Sequence, residues 1–159
     1  MKYLPLRIWA AVGYRGYSSS TNVFRIQMQK SGGAYQVRIG ARNDAGTWTD
    51  SAWQNLATGW NALEIDYQAA HNAGSLSLWV GGTLKATLSA IDNDGSKVDS
   101  VRLGAQGVDT GTRGTVYFDD FDSRRFSEIG LLPDPGIQNP TPTPYLLCAF
   151  PWQWARLKT

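Results

Sequence analysis

Aspartates gather in two stretches of this 159-residue chain. Asp119, Asp120 and Asp122 lie side by side, and Asp92 and Asp94 share a short turn with Asn93 and Gly95. Hard oxygen ligands of this kind suit calcium, which takes roughly six to eight oxygens, backbone carbonyls included. Asp119, Asp120, Asp92 and Asp94 are therefore the expected ligands of a structural calcium ion, with Asp122 beside them. The turn is not an EF-hand, because it lacks both the upstream aspartate and the closing glutamate of that loop. Arg113, Arg124 and Arg125 lie close in sequence and offer a plainer alternative, in which guanidinium groups pair with the carboxylates and no ion is needed.

Other chemistry is sparse. His71 is the sole histidine, so a Ser-His-Asp relay and a two-histidine zinc site both lack support; it reads as a solvent-exposed turn residue before Asn72. Cys148 stands alone, which excludes a disulfide framework and a thiolate metal site. No residue is assigned a catalytic role. Aromatic side chains are the remaining resource, since a sugar ring stacks its C–H face on an indole and leaves its hydroxyls to polar neighbours. Trp79 has outward parity between Leu78 and Val80, while Trp48 and Trp53 flank Asp50 in a loop. With Arg38 as a hydrogen-bond donor, these three tryptophans are the expected ligand-binding set. The competing expectation is that Trp53 and Trp60 plug the ends of the fold and that Trp79 is covered by a neighbouring strand, because indole is usually well buried.

The elements that position these groups are strands. Apolar residues recur with period two from residue 3 to residue 126, and no helical period is present. Leu4, Leu6, Ile8, Ala10 and Val12 share one parity. Phe24, Ile26 and Met28 point inward, with Arg25, Gln27 and Gln29 on the other side. Tyr35, Val37, Ile39 and Ala41 alternate with Gln36, Arg38, Gly40 and Arg42, and Leu63, Ile65 and Tyr67 alternate with Glu64, Asp66 and Gln68. Leu76, Leu78 and Val80 form another inward set, which resumes at Leu84, Ala86 and Leu88 after Gly81-Gly82. A two-residue glycine turn would put Leu84 on the wet face, so parity demands an odd loop or a bulge. Parity breaks again at Asp119-Asp120, after Val116, Tyr117 and Phe118.

Turn residues separate these runs at regular spacing, the pattern of an all-β, antiparallel, jelly-roll-like sandwich. Residues 1–130 are expected to form it. Residues 131–144, with Pro140-Thr141-Pro142-Thr143-Pro144, read as an extended linker to other domains of a parent chain. Residues 145–159 have no clear period and are expected to be unstructured. The net charge of +2 is dispersed without a basic block, which argues against nucleic acid as a partner. The apolar stretch from Tyr145 to Ala155 is too short for a membrane span.

Several segments carry a family likeness: Trp60-Asn61-Ala62-Leu63-Glu64-Ile65-Asp66-Tyr67, Gly74 to Gly82, Ile91-Asp92-Asn93-Asp94, and Gly114 to Arg125. They resemble the later strands of concanavalin A-like, laminin G-like modules of bacterial surface or secreted proteins. The resemblance implies a non-catalytic carbohydrate-binding or adhesive module, extracellular or at the cell surface, with a glycan or cell-surface polymer as partner and no cofactor beyond calcium. It also implies strands ahead of Tyr3, so the sandwich is expected to be N-terminally incomplete. Glycoside hydrolases that resemble it carry an acid, a second acid two residues on and a third after three more, and here the third position is Ala69. Retaining hydrolysis needs two carboxylates ~5 Å apart, so a degenerate hydrolase is one alternative and a purely structural spacer the other.

Overall fold

A computed structural model describes residues 12–108, 110–123 and 154–158. These residues form β1 (Val12–Ser18), β2 (Thr21–Ser31), β3 (Ala34–Arg42), β4 (Trp48–Asp50), β5 (Gln54–Leu56), β6 (Ala62–Gln68), β7 (Gly74–Val80), β8 (Thr83–Ile91), β9 (Ser100–Ala105), β10 (Asp119–Ser123) and β11 (Trp154–Lys158). No helix occurs among them. One antiparallel sheet has the order β4-β3-β2-β1-β9, with β5 also on β3, and the other has the order β10-β11-β6-β7-β8.

The period-two pattern dictates what lies between them. Phe24, Ile26, Met28, Val37 and Ile39 from the first sheet meet Leu63, Ile65, Tyr67, Leu76 and Leu78 from the second in a single apolar cluster. Burial of each aliphatic chain contributes about 1.5–3 kcal/mol, which makes this contact the main force holding the sheets face to face. The chain is thus an antiparallel β-sandwich. Val23, Leu56 and Ile91 join the core from bulged or strand-end positions, and Val98 from the loop before β9, none of which simple alternation reveals.

The Gly81-Gly82 turn settles the parity question. Both glycines have positive φ, 57° and 76°, as the tight turn between β7 and β8 requires. Val80 pairs with Thr83 and Trp79 with Leu84, and the register then shifts so that Leu78 faces Ala86. The bulge therefore follows Leu84. Ala86 and Leu88 turn inward as expected, but Leu84 is 53% exposed and does not belong to the inward set.

Two further expectations change. Trp48–Asp50 is a strand, because it continues the antiparallel pairing of β3 from Gly40 to Arg42. Trp154–Lys158, expected to be unstructured, is β11 and lies between β10 and β6. Its five residues are matched one for one to Ala62–Asp66, so the unpaired edge of β6 supplies the order that periodicity did not announce. Among the described residues β10 pairs with β11 alone and ends its sheet. The strand expected from Leu4 to Ala10, Arg124 and Arg125, the linker at 131–144 and residues 145–153 lie outside the described residues.

Candidate functional site

Outward positions of β2, β3, β4 and β5 build one polar surface. Arg25 stands opposite Gly40, and Gly40 opposite Asp50, so these residues share a face. Gly40 has no side chain to block the way, and Arg25 reaches across β3 to Asp50, donating from Nη2 to both carboxylate oxygens at 2.9 Å. A Cβ on Gly40 would collide with Asp50 Oδ1 and press on Arg25 at 3.0 Å. The glycine is thus part of the clamp. Arg38 closes it from the next row, with Nη2 3.3 Å from Asp50 Oδ2 and Nε donating to Gln27 Oε1 at 2.8 Å.

Both guanidiniums sit over indoles. Arg25 sits 4.2 Å from the ring centre of Trp48, and Arg38 sits 4.6 Å from that of Trp53. The break between β4 and β5 makes the second contact possible. There Ser51 replaces the regular pairing, donating its N–H to the Ile39 carbonyl while its hydroxyl accepts from the Ile39 N–H. A ladder of amides continues the surface: Gln29 donates to Gln36 at 2.8 Å, and Gln36 donates to Asn55 at 2.9 Å. Aromatic platforms, a shared carboxylate and oriented N–H donors suit a ligand rich in hydroxyl or acidic oxygens.

Of the expected ligand set, Trp48, Trp53 and Arg38 come together here. Trp79 does not. It lies on β7 of the other sheet, in register with Glu64 and Leu84, so it faces away across a sandwich whose layers stand ~10 Å apart. Neither Trp48, Trp53 nor Trp79 belongs to the core cluster, and Trp60 is 49% exposed instead of plugging an end. Arg25 was legible only as outward parity and Asp50 only as a loop residue, and their pairing across Gly40 needs the strand register.

The aspartates divide. Asp92 follows the end of β8, while Asp119 and Asp120 lie on β10, four strand spacings away across the sheet, or ~19 Å. The two halves of the expected calcium site are not neighbours, and the side chains of Asp119, Asp120 and Asp122 lie outside the described residues. Asp92 and Asp94 instead meet His71, whose Nδ1 is 3.0 Å and 3.7 Å from their carboxylates. Ligand atoms of these three residues lie within 4.8 Å of one another, all on the surface side of the loop.

Beneath them the loop is stapled by hydrogen bonds. Asp44 accepts from the Gly95 N–H at 3.0 Å and the Ser96 hydroxyl at 2.9 Å. The Gly95 bond chiefly holds the Asp44 carboxyl below its ordinary value. Asn93, fully buried, accepts from the Ala70 N–H and donates to the Gln68 carbonyl. These bonds fix the backbone of the loop at Asn93 and Gly95.

Glu64 and Asp66 share the outward face of β6, ~6.6 Å apart along the strand. Burial, and then the charge of Glu64, pushes the Asp66 carboxyl up to about 6. No carboxylate faces Glu64 from either neighbouring strand: its register partners are Trp79 and Arg156. Ala69 packs against the core.

Compared with known proteins, the chain matches no family model, no curated protein and no solved structure. No helix among the described residues is long and apolar enough to cross a membrane.

Proposed function

We propose that the chain is a non-catalytic, concanavalin A-like glycan-binding or adhesive module of an extracellular or cell-surface protein, and that it binds through the outward face of the six-stranded sheet. The observation that carries this reading is the clamp of Arg25 and Arg38 on one carboxylate, with each guanidinium set over an indole. Side chains so fixed lose little freedom on binding and present their donors in a set geometry. Calcium is optional in this reading. Asp92 and Asp94 would hold it for stability, and a rise in unfolding temperature with added calcium is the measure of that role.

A panel of immobilised plant, fungal and bacterial polysaccharides tests the proposal. The intact chain should retain at least one of them, and Trp53→Ala and Arg38→Ala should each weaken retention while leaving the unfolding transition cooperative. A chain that retains none is a spacer. Release of sugar from a soluble β-glucan, lost in Glu64→Gln, would make it an enzyme and overturn the proposal.

A further inference from the structure

The outward row that crosses the clamp runs on through two more strands. Arg102 on β9 faces Arg15 on β1, and Arg15 faces Arg25 on β2, so three arginines stand directly opposite one another on adjacent strands. Like charges in that relation repel. Arg38 and Arg42 add two more positive charges from β3, and Asp50 is the single carboxylate at the outward positions of the sheet's paired strands.

Asp50 is already shared by Arg25 and Arg38. Among the described residues the other three arginines make no ion pair. Arg15 donates to the Gln106 carbonyl, Arg42 to the Gly46 carbonyl at 3.1 Å, and Arg102 lies 4.4 Å from the Tyr17 ring centre. Each is held in place by a neutral partner that leaves its charge unbalanced. Tyr17 is only 7% exposed yet stands outside the core cluster, so it acts as a platform on the outer face.

Beside this row Gly13 is closed off by the Ile26 backbone, and only Gly104 leaves open space. Gly13 and Gly104 are register partners, one step along from Arg15 and Arg102, and a Cβ on Gly104 would meet nothing within 4 Å. Gln27, opposite Gly13, is 6% exposed and takes its hydrogen bond from Arg38. Arg15 and Arg102 thus stand beside an open position at Gly104, with buried Gly13 and Gln27 beyond it. On the opposite sheet Glu64, 7% exposed, and Asp66 share a face, with Arg156 opposite Glu64 by register.

We infer that the ligand of this surface is an anionic polysaccharide, with carboxylates or sulfates that pair with Arg15 and Arg102. The inference rests on the glycan-binding reading and narrows it. The Gln29-Gln36-Asn55 ladder of side-chain amides offers partners to sugar hydroxyls.

Calorimetric titration of the intact chain with polygalacturonate, dextran sulfate, a neutral β-glucan and duplex DNA tests this. An acidic polysaccharide should bind while the neutral glucan does not, and its affinity should fall as salt rises from about 0.05 M to about 0.5 M. The double variant Arg15→Gln/Arg102→Gln should bind about tenfold more weakly or worse, from the loss of charge-assisted hydrogen bonds. Its unfolding temperature should not drop, because a repulsive row has been relieved. Neutral glucan bound as tightly as the acidic polymers, without salt dependence, would overturn the inference and leave the glycan-binding reading in place. Failure of every polysaccharide to bind would remove both. Equal affinity for DNA and the acidic polymers would overturn the inference in favour of charge attraction without sugar recognition.

Discussion

Gly40 shows how one residue without a side chain decides what its neighbours can do. Arg25 crosses β3 only because that position is empty, and the atom a Cβ would strike is the movable carboxylate of Asp50. Gly40→Ala should therefore disturb the Arg25-Asp50 clamp more than the fold. The expected result is weaker retention on whichever polysaccharide binds the native chain, with an unfolding temperature lowered by only a few degrees. Asp66 makes a separate claim at this scale. Its carboxyl is raised from an ordinary value of 3.8 to about 6, so the native state holds the proton more tightly than the unfolded chain does. The penalty is absent below the unfolded value, grows as pH rises between the two and is complete above the folded one. Asp66→Asn should thus stabilise the protein by about 1 kcal/mol near neutral pH, a figure discounted for the half-exposed site, and by almost nothing in strong acid. Thermal melts of both proteins across that range measure it.

At the scale of elements, alternation was a good guide wherever a strand lies flat between core and water. Val37, Ile39, Leu63, Ile65, Leu76 and Leu78 all sit in the core as their parity requires. It fails where the chain departs from strict pleating. Leu84 shares the apolar character of Ala86 and Leu88, yet the residue that restores parity comes after it, and sequence alone cannot say on which side of Leu84 the bulge falls. Leu84→Thr should accordingly be nearly neutral, within about 0.5 kcal/mol in a denaturant titration, where a core leucine would lose several. β11 was not legible for a different reason: five residues pair with the free edge of β6 across a long separation in sequence, and local pattern does not encode a distant partner. The clamp lies between these cases. Outward parity put Arg25 and Arg38 on solvent-facing positions and left Asp50 in a loop, and only the register of β2, β3 and β4 makes them neighbours. The aspartate constellation fails by the same logic, since residues alike in kind were placed at opposite edges of one sheet.

The described residues form a two-faced plate. One outward face carries Arg15, Arg25, Arg38, Arg42 and Arg102 with Asp50, and the other carries Glu64 and Asp66 beside Trp79. Neither face draws its character from the core that joins them, so fold stability and binding should separate under mutation. The most direct measurement is hydroxyl-radical footprinting of the intact chain with and without polygalacturonate, read by mass spectrometry at the tryptophans. Polymer should protect Trp48 and Trp53, the indoles of the arginine face, and leave Trp79 labelled as before. Protection of Trp79 with unchanged labelling at Trp48 and Trp53 would put the ligand on the opposite sheet and contradict the account.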